Sequence, residues 1–540
     1  MWKIKEVESE DSVIELAKSN KLNSVLARLL WLRDIKTNDA VLRFLNPRLE
    51  DLFPWQNLPD IEPAIKRIQQ AISNKEKIVI WGHEDLDGIT ATVILYETIK
   101  AVRGYPFYHI PFKGKDKHGL STEKAKDFAN LGVKLIITVD CGVTNIEEVE
   151  QIKKLGIDVI ITDHHEVLEA LPNAIANIDP KRTDSKYPFI SLAGVGIALK
   201  LAFALLDVHL GVKPKQLFSL KPDFLGMTAL GTISDRVPLL GENRILTKYG
   251  LEELKNIQNP AVRAIIDVAE VDRNKLNNDI FFSDILPIFA SANGNVACDY
   301  FLNKSYDECL TWAQELYSQS KIWREDAKQT LALAEQLVDI GPGIVIVRDE
   351  RLSTRALGHV AGKIKDRYQV PALVLGSKNN DDWVGECRGI NGVDLIELLK
   401  AHRNYFSAFG GHKKACGFTI SKKRSDEFIK SAKNYAKEHF VGNIIKENRI
   451  EPDAFMQIKE LSSELTKLGP FGEGNPEPIL ISQNTPLTKS NGKYLFLERP
   501  ELKVIYIPEQ HIYSDRVFVD ILYSIDEYLD VSILKIDYPE

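Results

Sequence analysis

Residues 77–91 read KIVIWGHEDLDGITA. A short β-branched run closes on Gly82, and His83, Asp85 and Asp87 come next at alternate positions. The run predicts a buried strand. If the extended conformation continues past Gly82, the imidazole and both carboxylates face one side. Gly88 then allows a tight turn into a helix expected to start near Thr90. Two more runs end the same way: KLIITVD (134–140) on Asp140, just before Cys141 and Gly142, and DVIITD (158–163) on Asp163, His164 and His165. The helical stretches ATVILYETIKAV and IEEVEQIKKLG lie between them. Alternation of this kind predicts βαβ units and a mainly parallel sheet covered on both faces. Ligands of such sheets sit beyond the carboxyl ends of the strands.

A lone Asp at a strand end is ordinarily the N-cap of the next helix. Three neighbouring strand ends that gather carboxylates and imidazoles ask for more, because crowded carboxylates repel and raise one another's pKa. A pair of divalent cations removes that conflict. Mixed Asp/His ligation favours manganese and accepts magnesium less well. Two such cations held close activate a water and stabilise the leaving oxygen in phosphoester hydrolysis. A thiol nucleophile would need a base and an electropositive setting, so Cys141 is read as a packing residue.

Outward from this cluster, 540 residues predict several domains. Residues from about 10 to 75 read as helical, punctuated by Pro47, Pro54, Pro59 and Pro63. Trp323, Ala327, Leu331, Ala334 and Leu337 form one apolar stripe, which predicts a single long helix over 306–339 that connects two globular parts. A second α/β unit starts at GIVIVRD (343–349), and the tail after Arg449 is strand-rich. The expected segments are a helical 1–75 packed on the α/β domain that follows it at 76–260, a helical connector at 261–340, a smaller α/β domain at 341–445 and a β-rich module at 446–540. Net charge is −7, which gives no global support for nucleic-acid binding. Five scattered cysteines without CxxC spacing indicate reduced thiols. With no signal-like N-terminus and no run approaching eighteen apolar residues, a cytoplasmic protein without membrane spans is expected.

HEDLDG (83–88), TVDCG (138–142), TDHHE (162–166) and GTISD (231–235) resemble, in order, the four motifs of the DHH phosphoesterase superfamily. ALGTISDRVPLLGENR (229–244), LAGVGIALKLAFALL (192–206), FGGHKKACGF (409–418) and LGPFGEGNPEP (468–478) resemble its RecJ-like, single-strand exonuclease branch. The resemblance implies a parallel-sheet DHH domain and a smaller DHHA1-type domain, joined by the long helix with a groove between them, then an OB-like module. It implies two metals held by His83, Asp85, Asp87, Asp140, His164 and Asp235, with Asp140 bridging, Asp163 orienting His164, and His165 facing the scissile phosphate. Lys113, Arg388, Gly410, Gly411 and His412 would contact substrate phosphate. The implied activity is hydrolysis of single-stranded DNA from 5′ to 3′, releasing 5′ mononucleotides in repair and recombination. A single-stranded-DNA-binding protein or a helicase would be the partner.

Several positions depart from that pattern. His83 stands where most bacterial members have Asp, and KDKHGLS (115–121) replaces a Gly-Tyr-Gly-Leu run. Glu386 and Gly389 flank Arg388 in place of serines, and Ser353 and Arg355 replace His and Gly. A carboxylate at 386 would weaken phosphate binding by Arg388. The tail beyond Pro478 is shorter than the resemblance leads one to expect, so partner-binding surfaces there would be absent or rearranged. Two rival functions stand beside the exonuclease: a phosphodiesterase of oligoribonucleotides or cyclic dinucleotides, and a non-catalytic scaffold, which predicts missing ligands. Beside the GGH stretch, Tyr405, Phe406 and Phe409 could stack on bases or fill the core, and for Phe409 the core is the preferred reading. KGKDK (113–117) could track phosphates, whereas KSNGK (489–493) reads as a hairpin turn.

Overall fold

The computed structural model describes residues 2–112, 116, 119–167, 170–444, 451–490, 493–506 and 516–537. They fall into two compact units, Met1–Tyr317 with Glu451–Glu540, and Ser318–Ile450.

In the larger unit four helices precede the first strand: α1 (Glu10–Asn20), α2 (Ser24–Trp31), α3 (Asn38–Leu45) and α4 (Ile61–Ser73). Ser9, Asn23 and Thr37 start the first three by accepting a first-turn N–H. Five strands then form one parallel sheet: β1 (Lys77–Gly82), β2 (Tyr105–His109), β3 (Val133–Val139), β4 (Asp158–Thr162) and β5 (Ala176–Ile178). Their order is β2-β1-β3-β4-β5, so the three runs singled out in the sequence are neighbours. The connecting helices are α5 (Leu86–Ala101), α6 (Thr122–Asn130) and α7 (Ile146–Lys154), and α8 (Gly194–Leu210) comes after β5. Ile78, Ile80, Leu135 and Ile137 share a core with α4, α5 and α8. Val79, Trp81, Val133 and Ile136 face Ala125, Val149 and Ile152 of α6 and α7. Both faces are therefore buried, which explains why the strands read as continuous apolar runs. Helix α8 is buried from Gly194 to Leu206 and apolar there except at Lys200, and no single helix among the described residues is long and apolar enough to cross a membrane.

The N-terminal segment departs from expectation. Of its four helices, α4 packs on the parallel-sheet core. Leu26, Leu29 and Leu30 of α2 and Val41 and Phe44 of α3 instead share a core with Leu480, Ile521 and Tyr523. Those partners belong to a six-stranded C-terminal sheet of β12 (Ala454–Phe455), β13 (Ile479–Ser490), β14 (Lys493–Phe496), β15 (Val504–Tyr506), β16 (Arg516–Ile525) and β17 (Val531–Asp537). Ser490 pairs with Lys493 across β13 and β14, while residues 491–492 lie outside the described set. Arg244, from the GENR stretch, is 2% exposed and donates to the carbonyls of Phe44, Lys467, Leu468 and Gly469. It fastens three segments of this unit, each charged donor meeting a fixed acceptor.

The long helix runs Tyr306–Gln336, and the boundary between the two units falls within it. Its expected stripe is present in the smaller unit, where Trp323, Ala327, Leu331, Ala334 and Leu337 meet Val345, Val347 and Val360. That unit has its own six-stranded sheet, in the order β10-β11-β9-β8-β7-β6. The strands are β6 (Asp339–Gly341), β7 (Ile344–Arg348), β8 (Ala372–Ser377), β9 (Asp382–Arg388), β10 (Phe406–His412) and β11 (Ala415–Ser421).

Candidate metal centre

The backbone ladder of the parallel sheet carries one residue beyond each of three strands. His83 N donates to Val139 O, Asp140 N to Thr162 O and Asp163 N to Ile178 O, at 3.2, 3.0 and 3.1 Å. These donations hold the first chemically active residue of each loop in register with its neighbours. Past His83 the strand does not continue: residues 84–85 form a bend, although Asp85 itself is extended (φ −97°, ψ −179°). Helix α5 begins at Leu86, with Asp85 as its N-cap, accepting from Gly88 N at 3.0 Å, and with Asp87 in its first turn. The three side chains thus converge through the start of a helix, not through strand alternation. Gly88 also differs from the expected turn residue. It lies inside α5, where a Cβ would come within 2.6 Å of His83 N, Cβ and O, so glycine there permits close approach.

Asp140 is placed by another local device. Its φ of 60° is left-handed, a conformation that Asp tolerates better than most residues. Asp87, fully buried, accepts from the amides of Gly194 and Val195 at the start of α8, both at 2.8 Å. A carboxylate on a helix N-terminus is a favourable arrangement. The residues that set this up were not picked out as site residues from the sequence. A Cβ on Gly194 would lie 2.6–2.8 Å from the Asp140 side chain, and one on Gly231 would lie 2.9 Å from Asp87 Oδ1 and 2.5 Å from Thr90 Oγ1. Glycines at the start of a buried apolar helix and inside GTISD were the signals available. Asp179, fully buried one residue past β5, was missed as well.

The ligand-type atoms fall into three interlocking groups, each within 4.8 Å: His83, Asp85 and Asp140; Asp140, His164 and His165; and Asp87, His164 and Asp235. Asp140 and His164 each belong to two groups. His83 Nδ1 lies 3.1 Å from Asp85 Oδ2 and 3.7 Å from Asp140 Oδ2. His164 Nε2 lies 3.1 Å from Asp140 Oδ1 and 3.5 Å from Asp235 Oδ2. Yet Asp140 Oδ1 and both His164 ring nitrogens are buried without a hydrogen-bond partner among the described residues. Buried polar atoms in that condition are costly.

The electrostatics point the same way. Burial, then the charges of Asp235 and Asp85, push Asp87 well above the usual carboxylate range. Burial, then Asp87 and Asp85, do the same to Asp140. Asp235 is raised to about 7 by burial and then by Asp85. Burial lowers His164 to about 3. Burial opposes ionisation of Asp85 and of His83, but their mutual hydrogen bond and charge prevail, lowering Asp85 and raising His83 to about 9. By themselves these side chains must retain protons to coexist. Divalent cations would replace those protons and satisfy the orphaned atoms, so the residues fit a metal pair.

Asp163 acts on a different imidazole from the one expected. Its Oδ1 accepts from His164 N at 2.8 Å and His165 N at 3.2 Å and lies 2.7 Å from His165 Nδ1, while Oδ2 accepts from Val143 N at 2.9 Å. It therefore fixes the loop backbone and the His165 ring, not the His164 ring. Burial works against the His165 cation, yet the hydrogen bond and charge of Asp163 raise its pKa overall. Cys141 is a packing residue: it is buried, with Sγ 3.7 Å from Trp81 O, and burial keeps the thiol protonated.

In the smaller unit, FGGH is not a loop but part of the edge strand β10, with Gly410 opposite Gly417 and Gly411 opposite Cys416. Both glycines are exposed, and His412 ends the strand. Arg388 donates to Glu386 Oε2 at 2.9 Å, so this cation is already paired. Phe406 packs on Phe418 and Phe428, whereas Phe409 is 36% exposed, contrary to the preferred reading of the sequence. Lys113 and most of KGKDK lie outside the described residues.

Two family models match the chain: "DHH family, N-terminal domain" over residues 77–232 and "DHHA1 domain" over 341–438. The chain is 30% identical over 501 residues to the single-stranded-DNA-specific exonuclease RecJ of Bacillus subtilis, an alignment covering 90% of this chain and 62% of that protein. It is 27% identical over 488 residues to the protein of the same name from Escherichia coli, covering 85% and 83% of the two chains. Among solved structures, RecJ of Thermus thermophilus in complex with Mn2+ matches with a TM-score of 0.79 at 21% identity, covering 100% of this chain and 80% of that one. A structure of the same protein with Mg2+ matches with a TM-score of 0.75 at 20% identity, covering 100% of this chain and 78% of that one. The chain thus matches the DHH family over residues 77–232 and the DHHA1 domain over 341–438, and along most of its length it is similar to RecJ proteins.

Proposed function

We propose that this chain is a divalent-metal-dependent exonuclease that degrades single-stranded DNA from the 5′ end and releases 5′ mononucleotides, acting in repair and recombination. The observation that carries the reading is the triple cluster at the carboxyl end of the parallel sheet, with Asp140 and His164 each shared between two groups. Related proteins bear the name single-stranded-DNA-specific exonuclease, and Mn2+ and Mg2+ accompany the Thermus structures.

His83, Asp85, Asp87, Asp140, His164 and Asp235 would hold two divalent cations, with manganese favoured by the imidazoles. When bound, the cations supply a nucleophilic water at neutral pH and neutralise charge on the scissile phosphate. The remaining work belongs to the chain. Asp163 fixes the His165 ring through Nδ1, and His165 would face the scissile phosphate or its leaving group. Its raised pKa suits His165 to donate a hydrogen bond, and then a proton, to a phosphate or leaving oxygen. Lys113, Arg388, the Gly410 and Gly411 amides and His412 would contact substrate phosphate. A single-stranded-DNA-binding protein or a helicase would deliver the strand.

The test is degradation of 5′- and 3′-labelled single strands with Mn2+, with Asp140→Ala as control. Ordered loss from the 5′ end in the wild type alone supports the reading, and loss from the 3′ end refutes the polarity. The Glu386–Arg388 pair favours a second reading, a phosphodiesterase of short oligonucleotides, because a carboxylate already occupies the arginine. That reading requires cleavage of dinucleotides and none of long strands.

A further inference from the structure

A cleft in the larger unit begins at the residue after Asp235, and none of the metal-centre side chains lines it. Its volume is about 300 Å3, at the lower end of the range for small-ligand sites. Arg236 opens it with a left-handed φ of 58°, a conformation uncommon for a long side chain and often retained where function needs it. The guanidinium is exposed and sits 4.5 Å from the centroid of the Phe282 ring. Phe282 belongs to a π-helical turn, Phe281–Ile285, a rare conformation that recurs at functional sites. Asn278, Asp279 and Glu473 complete the polar lining. The side chains of Arg236, Asn278, Asp279 and Glu473 make no hydrogen bond or ion pair with any other described residue.

The lining discriminates among ligands. Two carboxylates beside one guanidinium disfavour a phosphate, and the guanidinium disfavours a metal cation. A neutral heteroaromatic ring uses every group present. Its face stacks on the Arg236–Phe282 pair. Its carbonyls and ring nitrogens accept from the guanidinium and amide, and its exocyclic amine donates to Asp279 or Glu473. We propose that this cleft seats a nucleobase of the substrate strand, with Arg236 and Phe282 as its stacking platform beside the metal centre. The inference rests on the nuclease reading.

The test measures binding, not turnover. A fluorescein-labelled eight-nucleotide strand is titrated in Ca2+ by anisotropy, intact or with one abasic residue placed at each position in turn. The proteins are the wild type, Phe282→Ala and Arg236→Met, each first shown to undergo the wild-type thermal shift with Mn2+. At one position, loss of the base should weaken wild-type binding about ten-fold, the weight of one stacked base, and weaken each variant less than two-fold. Equal losses in all three proteins at every position, or no loss anywhere, overturn the inference while leaving the nuclease reading intact. A wild type that responds to Mn2+ but binds no strand brings down both.

Discussion

If the acidic cluster exists to hold cations, then in their absence it should destabilise the protein, and neutralising one carboxylate should help. Asp140→Asn is the informative change. Asn tolerates the left-handed backbone found at 140 (φ 60°), keeps the side-chain shape and removes one charge. Ligand atoms of Asp85 and Asp140 lie within 4.8 Å, and the pKa of Asp85 is lowered by His83 after burial is overcome. At an effective dielectric of about 20, two unit charges at that distance repel by about 3.5 kcal/mol. Part of this is already avoided by a retained proton, and the variant gives up contacts near His83 and His164, so a net stabilisation of about 1–3 kcal/mol is expected in chelator. That corresponds to a rise in melting temperature of roughly 1–4 °C for a unit of this size. Added Mn2+ reverses the order: at a hundred times its Kd, cation binding stabilises the wild type by about 2.7 kcal/mol, whereas a variant lacking the doubly shared ligand gains little. The assay is thermal unfolding of both proteins in EDTA and in MnCl2 at pH 8. A variant less stable than wild type in EDTA that gains as much from Mn2+ would show that Asp140 is a structural acceptor and not a metal ligand.

Three further outcomes are expected. Lys200 Nζ lies 2.5 Å from Glu242 Oε1, both side chains 1% exposed, and Tyr187 and Phe53 N also donate to that carboxylate; Lys200→Met should cost about 3–5 kcal/mol in urea unfolding, and adding Glu242→Gln should restore much of it. Gly194→Ala forces a Cβ to within 2.6 Å of Asp140 Oδ1, so cleavage and the Mn2+-induced thermal shift should both fall, by at least about ten-fold and by several degrees, while the fold, read by circular dichroism, is kept. Burial raises Glu527 to about 7, so the folded state keeps a proton that the unfolded chain releases near pH 4.5; this stability is complete below pH 4.5 and lost as pH rises through 7. Glu527→Gln should therefore match wild type at pH 4.5 and exceed it at pH 8 by up to about 3 kcal/mol, and equal denaturation midpoints at pH 8 would contradict the assignment.

What could be seen in the sequence was what is local. The strands at 77–82, 133–139 and 158–162 were legible because burial on both faces leaves an uninterrupted β-branched run, and the chemistry was legible because it begins at the next residue. The long helix was legible from its stripe. Three kinds of feature were not. Helices α2 and α3 announce an apolar face, but nothing in an amphipathic pattern says that the face belongs to residues far along the chain, such as Leu480. The role of Asp163 depended on which ring its Oδ1 meets, and two adjacent histidines look alike in one dimension. Gly194 and Gly231 matter because of the carboxylates their missing Cβ atoms would strike, a fact of long-range contact.

These glycines bear on how such a cluster can exist at all. Six candidate ligands come from three strand ends and the end of a helix at Ser234, and they are aimed by different local conformations: an N-cap at Asp85, a first helical turn at Asp87, a left-handed residue at Asp140 and a C-cap at Asp235. No periodicity unites them, so their convergence must be enforced by backbones that approach closely. Helix α8 supplies two amides to Asp87 and, through Gly194, the space that Asp140 fills. One helix N-terminus therefore sets the spacing between two carboxylates from different groups of the cluster. Shifting α8 by even about 1 Å would move both in concert, which explains why this buried apolar helix opens on a glycine. Wherever ligands must hold divalent cations in fixed positions, precision of that kind bears directly on rate.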